Sequence, residues 1–207
     1  KVMEELFRQG LDAMTSGNHI WDNREALPLL GAESRLVRPA NYPPAAPGTG
    51  STVIEKKGLK LGLLNLQGRV FMQPIDCPFR RADEELLLFK EFPVLVDIHA
   101  EATSEKRALA LYLDGRVSAV LGTHTHVQTA DEGILEGGTA YISDVGMTGG
   151  HGGVIGMDKE AIVYRFLTGM PTRFEVCKSD LRMDAVAIEI DEASGRSLSI
   201  TRLSLEL

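Results

Sequence analysis

The chain reads as a layered α/β domain with mixed sheets. Two observations predict this. Between residues 52 and 143, short apolar runs bounded by Gly or Pro alternate with amphipathic stretches of helical period, as expected of central strands linked by helices. In the last third, the segments 161–167, 183–190 and 198–205 show more alternation of apolar and polar residues, as in antiparallel strands with one solvated face.

Each element has its own signal. Val2, Leu6, Phe7 and Leu11 share one helical face, so Val2 to Met14 is expected to be an amphipathic helix that Thr15-Ser16-Gly17-Asn18 breaks. A second helix is expected from Asp22 to Leu30, with Asp22 or Asn23 near its start. Residues 38–50 hold four of the nine prolines and form an extended surface loop, because each Pro removes a donor and restricts its predecessor. Strands are expected at Thr52–Glu55 and, after a turn at Gly58, at Leu59–Leu66. A loop over 68–79 leads to a helix over Arg81–Phe92 and then to the central strand 93–99, PVLVDIH. Thr103 is expected to cap a helix that runs to about Leu113 and stops at Asp114-Gly115. Ser118–Gly122 and Thr139–Ser143 are further buried strands. After a Gly-rich loop over 146–156 come the alternating segments Ala161–Leu167, Met183–Ile190 and Leu198–Leu205, the last two joined by a turn over 191–195.

The 207 residues suit one domain; 43% are hydrophobic, enough for a sizeable core. The formal charge of −7 disfavours a general phosphate-backbone binder, although a metal can supply positive charge locally. No apolar run reaches the ~18 residues of a membrane helix. Aromatic residues make up only 6% and are not interleaved with basic ones, which excludes a base-stacking platform for nucleic-acid polymers. Cys77 and Cys177 read as two free thiols in a reducing cytoplasm. The chain opens at Lys1 already in helical period, with no leader-like apolar run.

Four of the five histidines fall at or beside loops that leave a strand or a turn: His19 in Gly17-Asn18-His19, His99 at the end of PVLVDIH, and His124 and His126 in GTHTH. Open α/β sheets bind ligands at the carboxyl ends of their strands. In an extended segment His124 and His126, two apart, face one volume; taken alone they are either a metal-binding pair or two histidines satisfied by the protein. Asn18 is either a neutral oxygen donor or a residue suited to a turn after Gly17. His19, adjacent, projects elsewhere and suits acid/base work. His99 alone is either a core histidine or a ligand. Together these residues point to a hydrolytic metal centre.

GNH, a strand-end His, and GTHTH in the place of a GHxH motif resemble the calcineurin-like metallophosphoesterases. The segments SGNHIWD (16–22), RPANYPP (38–44), LQGRVFM (66–72), DIHAEATSEK (97–106), YLDGRVSAVLGTHTHVQTAD (112–131) and AYISDVGMTG (140–149) resemble more closely their YmdB-like branch of bacterial 2′,3′-cyclic-nucleotide phosphodiesterases. The resemblance implies a four-layer α/β/β/α sandwich, two mixed β-sheets flanked by helices, as one domain over 1–207. It implies two metal ions, of Fe, Mn or Zn, with Asn18, His99 and His124 on one and His126 on the other. It implies His19 as the general acid for the leaving alkoxide. Two such ions can activate a bridging hydroxide and hold the phosphoryl oxygens. The substrate class implied is a small phosphodiester, a 2′,3′-cyclic nucleotide first and a 3′,5′-cyclic nucleotide second, with neither a nucleic-acid polymer nor a membrane as partner.

The family also carries metal-binding carboxylates before GNH. Here Glu4, Glu5 and Asp12 sit on the first helix and read as solvated charges, so the chain is expected to be N-terminally truncated, lacking the first strand–helix units. The sheet edge thus exposed is expected to recruit a second copy, giving a homo-oligomer, or to aggregate. The alternative function is a catalytically impaired metal-binding or regulatory module of the same fold. Several neighbours stay open: Glu101, Thr103, Ser104 and Glu105 either cap a helix or orient His99. Asp144 either bonds a ligand His or caps a turn. Glycines 146–153 are expected to form a mobile loop in which His151 touches substrate or solvent. Arg69 pairs with phosphate or serves structurally.

Overall fold

Segments as apolar as 61–66, 94–98 and 119–122 offer too little polar surface for water on either side, so they belong inside a sheet covered on both faces. The computed structural model, which describes residues 2–89 and 92–207, places them there. In chain order the elements are α1 (Val2–Arg8), β1 (Met14–Thr15), a 3-10 turn (Asn18–Trp21), α2 (Ala26–Ala32), β2 (Leu36–Val37), β3 (Ser51–Lys56), β4 (Leu59–Gln67), α3 (Pro78–Leu86), β5 (Val94–His99), α4 (Thr103–Leu113), β6 (Ala119–Thr123), β7 (Gly133–Ile134), β8 (Ala140–Ile142), β9 (Thr148–Gly150), α5 (Lys159–Thr168), β10 (Leu181–Ile190) and β11 (Ser197–Glu206).

The main sheet has six strands in the order β3-β4-β5-β6-β8-β7. Strands β4, β5, β6 and β8 are parallel, and β3 and β7 close the two edges antiparallel. The register sets Gln67, His99 and Thr123 abreast, so three strands deliver their last residues to one edge. The core lies along this sheet, where Leu64, Leu66, Val96, Ile98 and Val120 pack with Leu109 and Leu113 of α4. A second, antiparallel sheet has the order β11-β10-β9. The two sheets are tied by Ser197, whose hydroxyl donates to the Ser118 carbonyl at 2.7 Å and whose N–H donates to the Gly138 carbonyl at 2.9 Å. The short β1 and β2 pair in parallel. Among the described residues no helix is long and apolar enough to cross a membrane.

Several local expectations are corrected. The first helix stops at Arg8, because Gly10 turns left-handed at φ 106°, and Met14 and Thr15 pair with Leu36 and Val37 instead of continuing it. The expected strand Ala161–Leu167 lies inside α5. Asp158 accepts the Glu160 N–H at 3.0 Å as an N-cap, and Gly169 ends the helix at φ 69°, so capping chemistry outweighs the strand-favouring composition. The helix expected over Arg81–Phe92 begins at Pro78 in its first turn and ends at Leu86; the part of that expectation on Lys90 and Glu91 lies outside the described residues. The helix expected from Asp22 starts at Ala26, while Asn18–Trp21 forms the 3-10 turn. Ala102, not Thr103, stands at the N-cap of α4. The Gly-rich segment contributes β9 to the second sheet.

Candidate functional site

The three strands that end abreast all close on polar side chains, Gln67 on β4, His99 on β5 and Thr123 on β6. The 3-10 turn reaches the same edge because the Gly17 N–H donates to Asn65 Oδ1 of β4 at 3.4 Å. Gly17 sits at φ 71°, ψ −159°, a region essentially reserved for glycine. It also lies flush against His99: a Cβ on Gly17 would stand 2.5 Å from His99 Cε1. Gly17→Ala is therefore expected to add about 1–3 kcal/mol of backbone strain and to displace the imidazole. Urea unfolding reads the first effect and turnover the second. A variant as stable and as active as its parent would show that the close approach is dispensable.

The ring protons can be assigned from their partners. Thr123 has one hydroxyl proton, donated to Asp97 Oδ1 at 2.7 Å. Its oxygen must then accept from His99 Nδ1–H at 3.0 Å, which leaves His99 Nε2 bare. That nitrogen faces Asn18 Oδ1 at 2.7 Å and His124 Nδ1 at 3.1 Å. The other His124 nitrogen lies 3.1 Å from Glu101 Oε2, and the carboxylate favours a proton there. Three electron-pair donors thus converge with no proton between them. Such atoms repel one another alone and are satisfied by a shared cation. His99 Nε2 stands 2.7 and 3.1 Å from the other two, close to the roughly 3.0 Å between ligands at right angles on an ion with bonds of about 2.1 Å. One amide oxygen and two imidazoles suit a borderline metal. Among the described residues no group of three or more His, Cys, Asp and Glu side chains is arranged to hold a metal, so the third donor here is the Asn18 amide. Three protein donors leave positions open, as catalytic rather than structural centres do.

Electrostatics support that state. Burial, followed by the charges of His124 and His19, pushes His99 down to about 3, so the ring is neutral at pH 7. His124 is also lowered, chiefly by burial and against the pull of Glu101. Asp97 is fully inside the protein, and its burial lifts it to about 6 against the bonds it accepts from Thr15 and Thr123. Asn65 Nδ2 donates to Asp97 Oδ2 at 3.1 Å, completing a relay Asn65–Asp97–Thr123–His99 that fixes the ring's orientation.

The loop after β6 departs from expectation. His124 and His126 both have positive φ, 104° and 65°, so the extended geometry that would face them into one volume is absent. Between them Thr125 is clamped: its N–H and hydroxyl donate to Asp144 Oδ2 at 2.9 and 2.7 Å. The same oxygen accepts from Lys106 Nζ at 3.0 Å, and both side chains of this ion pair are buried, 0% and 1% exposed. Asp144 Oδ1 takes the Gly146 N–H at 2.9 Å. The clamp offsets the strain of two left-handed histidines.

The structure therefore brings together Asn18, His99 and His124. His126 is exposed beyond Thr125, and its Nδ1–H donates to the Ile155 carbonyl at 3.1 Å, which leaves Nε2 bare. His19 follows Asn18 in the turn, largely exposed, with Nδ1 2.7 Å from Asp22 Oδ2. Glu101 serves His124 rather than His99. Glu105 accepts the Arg69 and Val70 N–H groups at 2.9 and 3.1 Å and so holds the loop after β4. Asp144 bonds no histidine but holds the loop that carries two. The Arg69 guanidinium lies 3.6 Å from Cys77 Sγ. Asn65, Asp97, Thr123 and Lys106 were not singled out from the sequence. Asp97 had a signal, since it lies two before His99 on one strand and so shares its face. A buried lysine in a helical stretch has none.

Comparison with known proteins bears on this geometry. A family model described as YmdB-like protein matches residues 1–203. The chain is 49% identical over 205 residues to the 2′,3′-cyclic-nucleotide 2′-phosphodiesterase of Bacillus subtilis, covering 98% of this chain and 78% of that protein. A crystal structure of a hypothetical protein from Thermus thermophilus superposes with a TM-score of 0.92 at 45% identity, over 100% of this chain and 81% of that one. A crystal structure of a novel phosphatase from Mycoplasma pneumoniae does so with a TM-score of 0.91 at 35% identity, over 99% and 75%.

Proposed function

We infer from one premise, that the chain belongs to the YmdB-like protein family, that it is a hydrolytic enzyme for phosphate esters. We further propose that it is a metal-dependent phosphodiesterase for 2′,3′-cyclic nucleotides, with 3′,5′-cyclic nucleotides a secondary class. The observation that carries the metal reading is the convergence of Asn18 Oδ1, His99 Nε2 and His124 Nδ1, to which the partners of the two rings assign no proton. The name of the Bacillus subtilis relative supports the substrate class.

On this reading Asn18, His99 and His124 hold one ion of Fe, Mn or Zn, and His126 contributes to a second. Bound ions would supply Lewis acidity toward phosphoryl oxygens and an activated water. The chain's own residues do the rest. The Asn65–Asp97–Thr123 relay keeps His99 in the ligating tautomer. Gly17 lets the turn lie against the ring. His19 keeps Nδ1 on Asp22 and gives a proton from Nε2 to the departing alkoxide; its exposure lets it recover that proton from water.

The test is turnover of 2′,3′-cyclic AMP with Mn, Fe or Zn, before and after chelation. His19→Ala is expected to lower kcat by about 10²–10⁴-fold with metal content unchanged. Turnover that survives chelation would overturn the metal reading. Turnover untouched by His19→Ala would remove the acid role. Metal uptake without turnover would favour the impaired or regulatory module.

A further inference from the structure

A cavity of about 350 Å³ has His126 on its rim and is otherwise lined by residues that the chemistry above does not use. Its volume is in the range of small-ligand pockets. Chain connectivity places it near the donor triad: His126 is two residues from His124, so their Cα atoms are at most about 7 Å apart. The far wall comes from the second sheet, with Asp184 on β10 and Ser204 on β11, and His151 from the loop after β9.

The chemistry of this wall selects its occupant. Asp184 accepts from His151 Nε2 at 3.0 Å and from the Ser204 hydroxyl at 2.7 Å, and its side chain is only 6% exposed. His151 Nδ1 lies 3.1 Å from the Gly149 carbonyl. A neutral ring donates to only one of these two acceptors, but both ring nitrogens face the protein, so what His151 offers a ligand is its flat ring. Val127, Met147 and Ile155 add apolar surface. Among the described residues no lysine or arginine lines the cavity, and a carboxylate does, so a phosphate group is disfavoured there. Ile155 is held at φ 43°, strained for a β-branched residue, and its carbonyl fixes His126. Strain of this kind is kept where the surroundings over-determine it, often at ligand clamps.

We propose that this cavity binds the nucleoside part of the substrate, with the base stacked on the His151 ring and flanked by Met147 while the phosphate lies at the donor triad. The proposal rests on the cyclic-nucleotide reading above. It makes His151 a specificity residue rather than a catalytic one.

The experiment compares 2′,3′-cyclic AMP with base-free methyl ribofuranoside 2′,3′-cyclic phosphate, in parent and His151→Ala. The expected result is a KM for cyclic AMP raised roughly 5- to 100-fold, the range of one base stacked on a side chain, with kcat within about 3-fold. The base-free diester should be turned over unchanged. His151→Phe, which keeps a flat ring but loses both polar contacts, should restore most of the KM. Equal losses on both substrates, or a Phe variant as poor as Ala, would overturn the stacking role. Should His151→Ala fail to fold, Met147→Ala is expected to raise the same KM selectively, and no selective rise would overturn the proposal. Calorimetry with adenosine alone separates this idea from the catalytic reading. Binding by the parent and not by His151→Ala supports the cavity even in a protein that turns over neither ester, and no binding by the parent overturns it.

Discussion

Lys106→Met is expected to lower the unfolding free energy by about 3–5 kcal/mol, the cost of stranding one member of a buried ion pair. The Lys106 ammonium is fully buried, and the Asp144 carboxylate it faces also carries the Thr125 N–H and hydroxyl and the Gly146 N–H. Removing the cation leaves a buried carboxylate compensated by neutral donors alone. Asp144→Asn added to Lys106→Met should recover part of the loss, because an uncharged amide oxygen can still accept from Thr125. Urea unfolding of the two single variants and the double variant measures the coupling. Additive losses would mean that the pair does not act as a unit. The same cycle read as turnover asks whether the clamp sets the His124–His126 loop, since a loosened Thr125 frees both left-handed histidines.

Thr123→Val is expected to reduce metal affinity and turnover by about 10–100-fold while preserving shape and fold, the usual cost of losing an outer partner of a ligand. The substitution removes the hydroxyl that links Asp97 to His99. Turnover and metal affinity within 2-fold of the parent would show that His99 needs no such partner. The pH dependence of stability gives an independent check. His99 falls from 6.5 to about 3 on folding, so its contribution is present above pH 6.5 and is lost as pH falls toward 3. Asp97 rises from 3.8 to about 6, so its contribution is present below pH 3.8 and is lost as pH rises through 6. The two oppose between pH 3.8 and about 6, and His99 alone acts below that. Other carboxylates titrate there too, so the informative quantity is the difference between parent and His99→Gln. The stability of the parent relative to His99→Gln should fall steadily as pH drops from 6.5 toward 3; a constant difference would contradict a buried, neutral His99.

How much of this was legible in the sequence depends on the range of the interaction. The central strands were readable because a run such as LVDI carries its burial in its own composition. The histidines were readable because strand exits are where α/β sheets present side chains. The relay from Asn65 through Asp97 and Thr123 to His99 was not, since it joins three strands across 24 to 32 residues and depends on register. Lys106 looked like any helix lysine, because its partner Asp144 comes 38 residues later, in the segment after β8. Helix α5 was misread since its seven central residues, AIVYRFL, are rich in the β-branched and aromatic types that strands favour, while the signals that decided it, Asp158 and Gly169, sit just outside. The shared volume assigned to His124 and His126 failed for a backbone reason, two positive φ values that a tertiary clamp supports and no local pattern announces.

The tautomers described for the donor rings carry a thermodynamic consequence. Metal uptake by histidine sites usually expels protons. Here His99 is protonated toward Thr123, His126 toward the Ile155 carbonyl, and His124 beside Glu101. Each ring already holds its proton on the nitrogen facing away from the ligating one. Burial holds His99 and His124 toward the neutral form, so these two rings would give up almost no protons on loading at neutral pH. The proton that loading would release would then come from water on the ion rather than from these two rings.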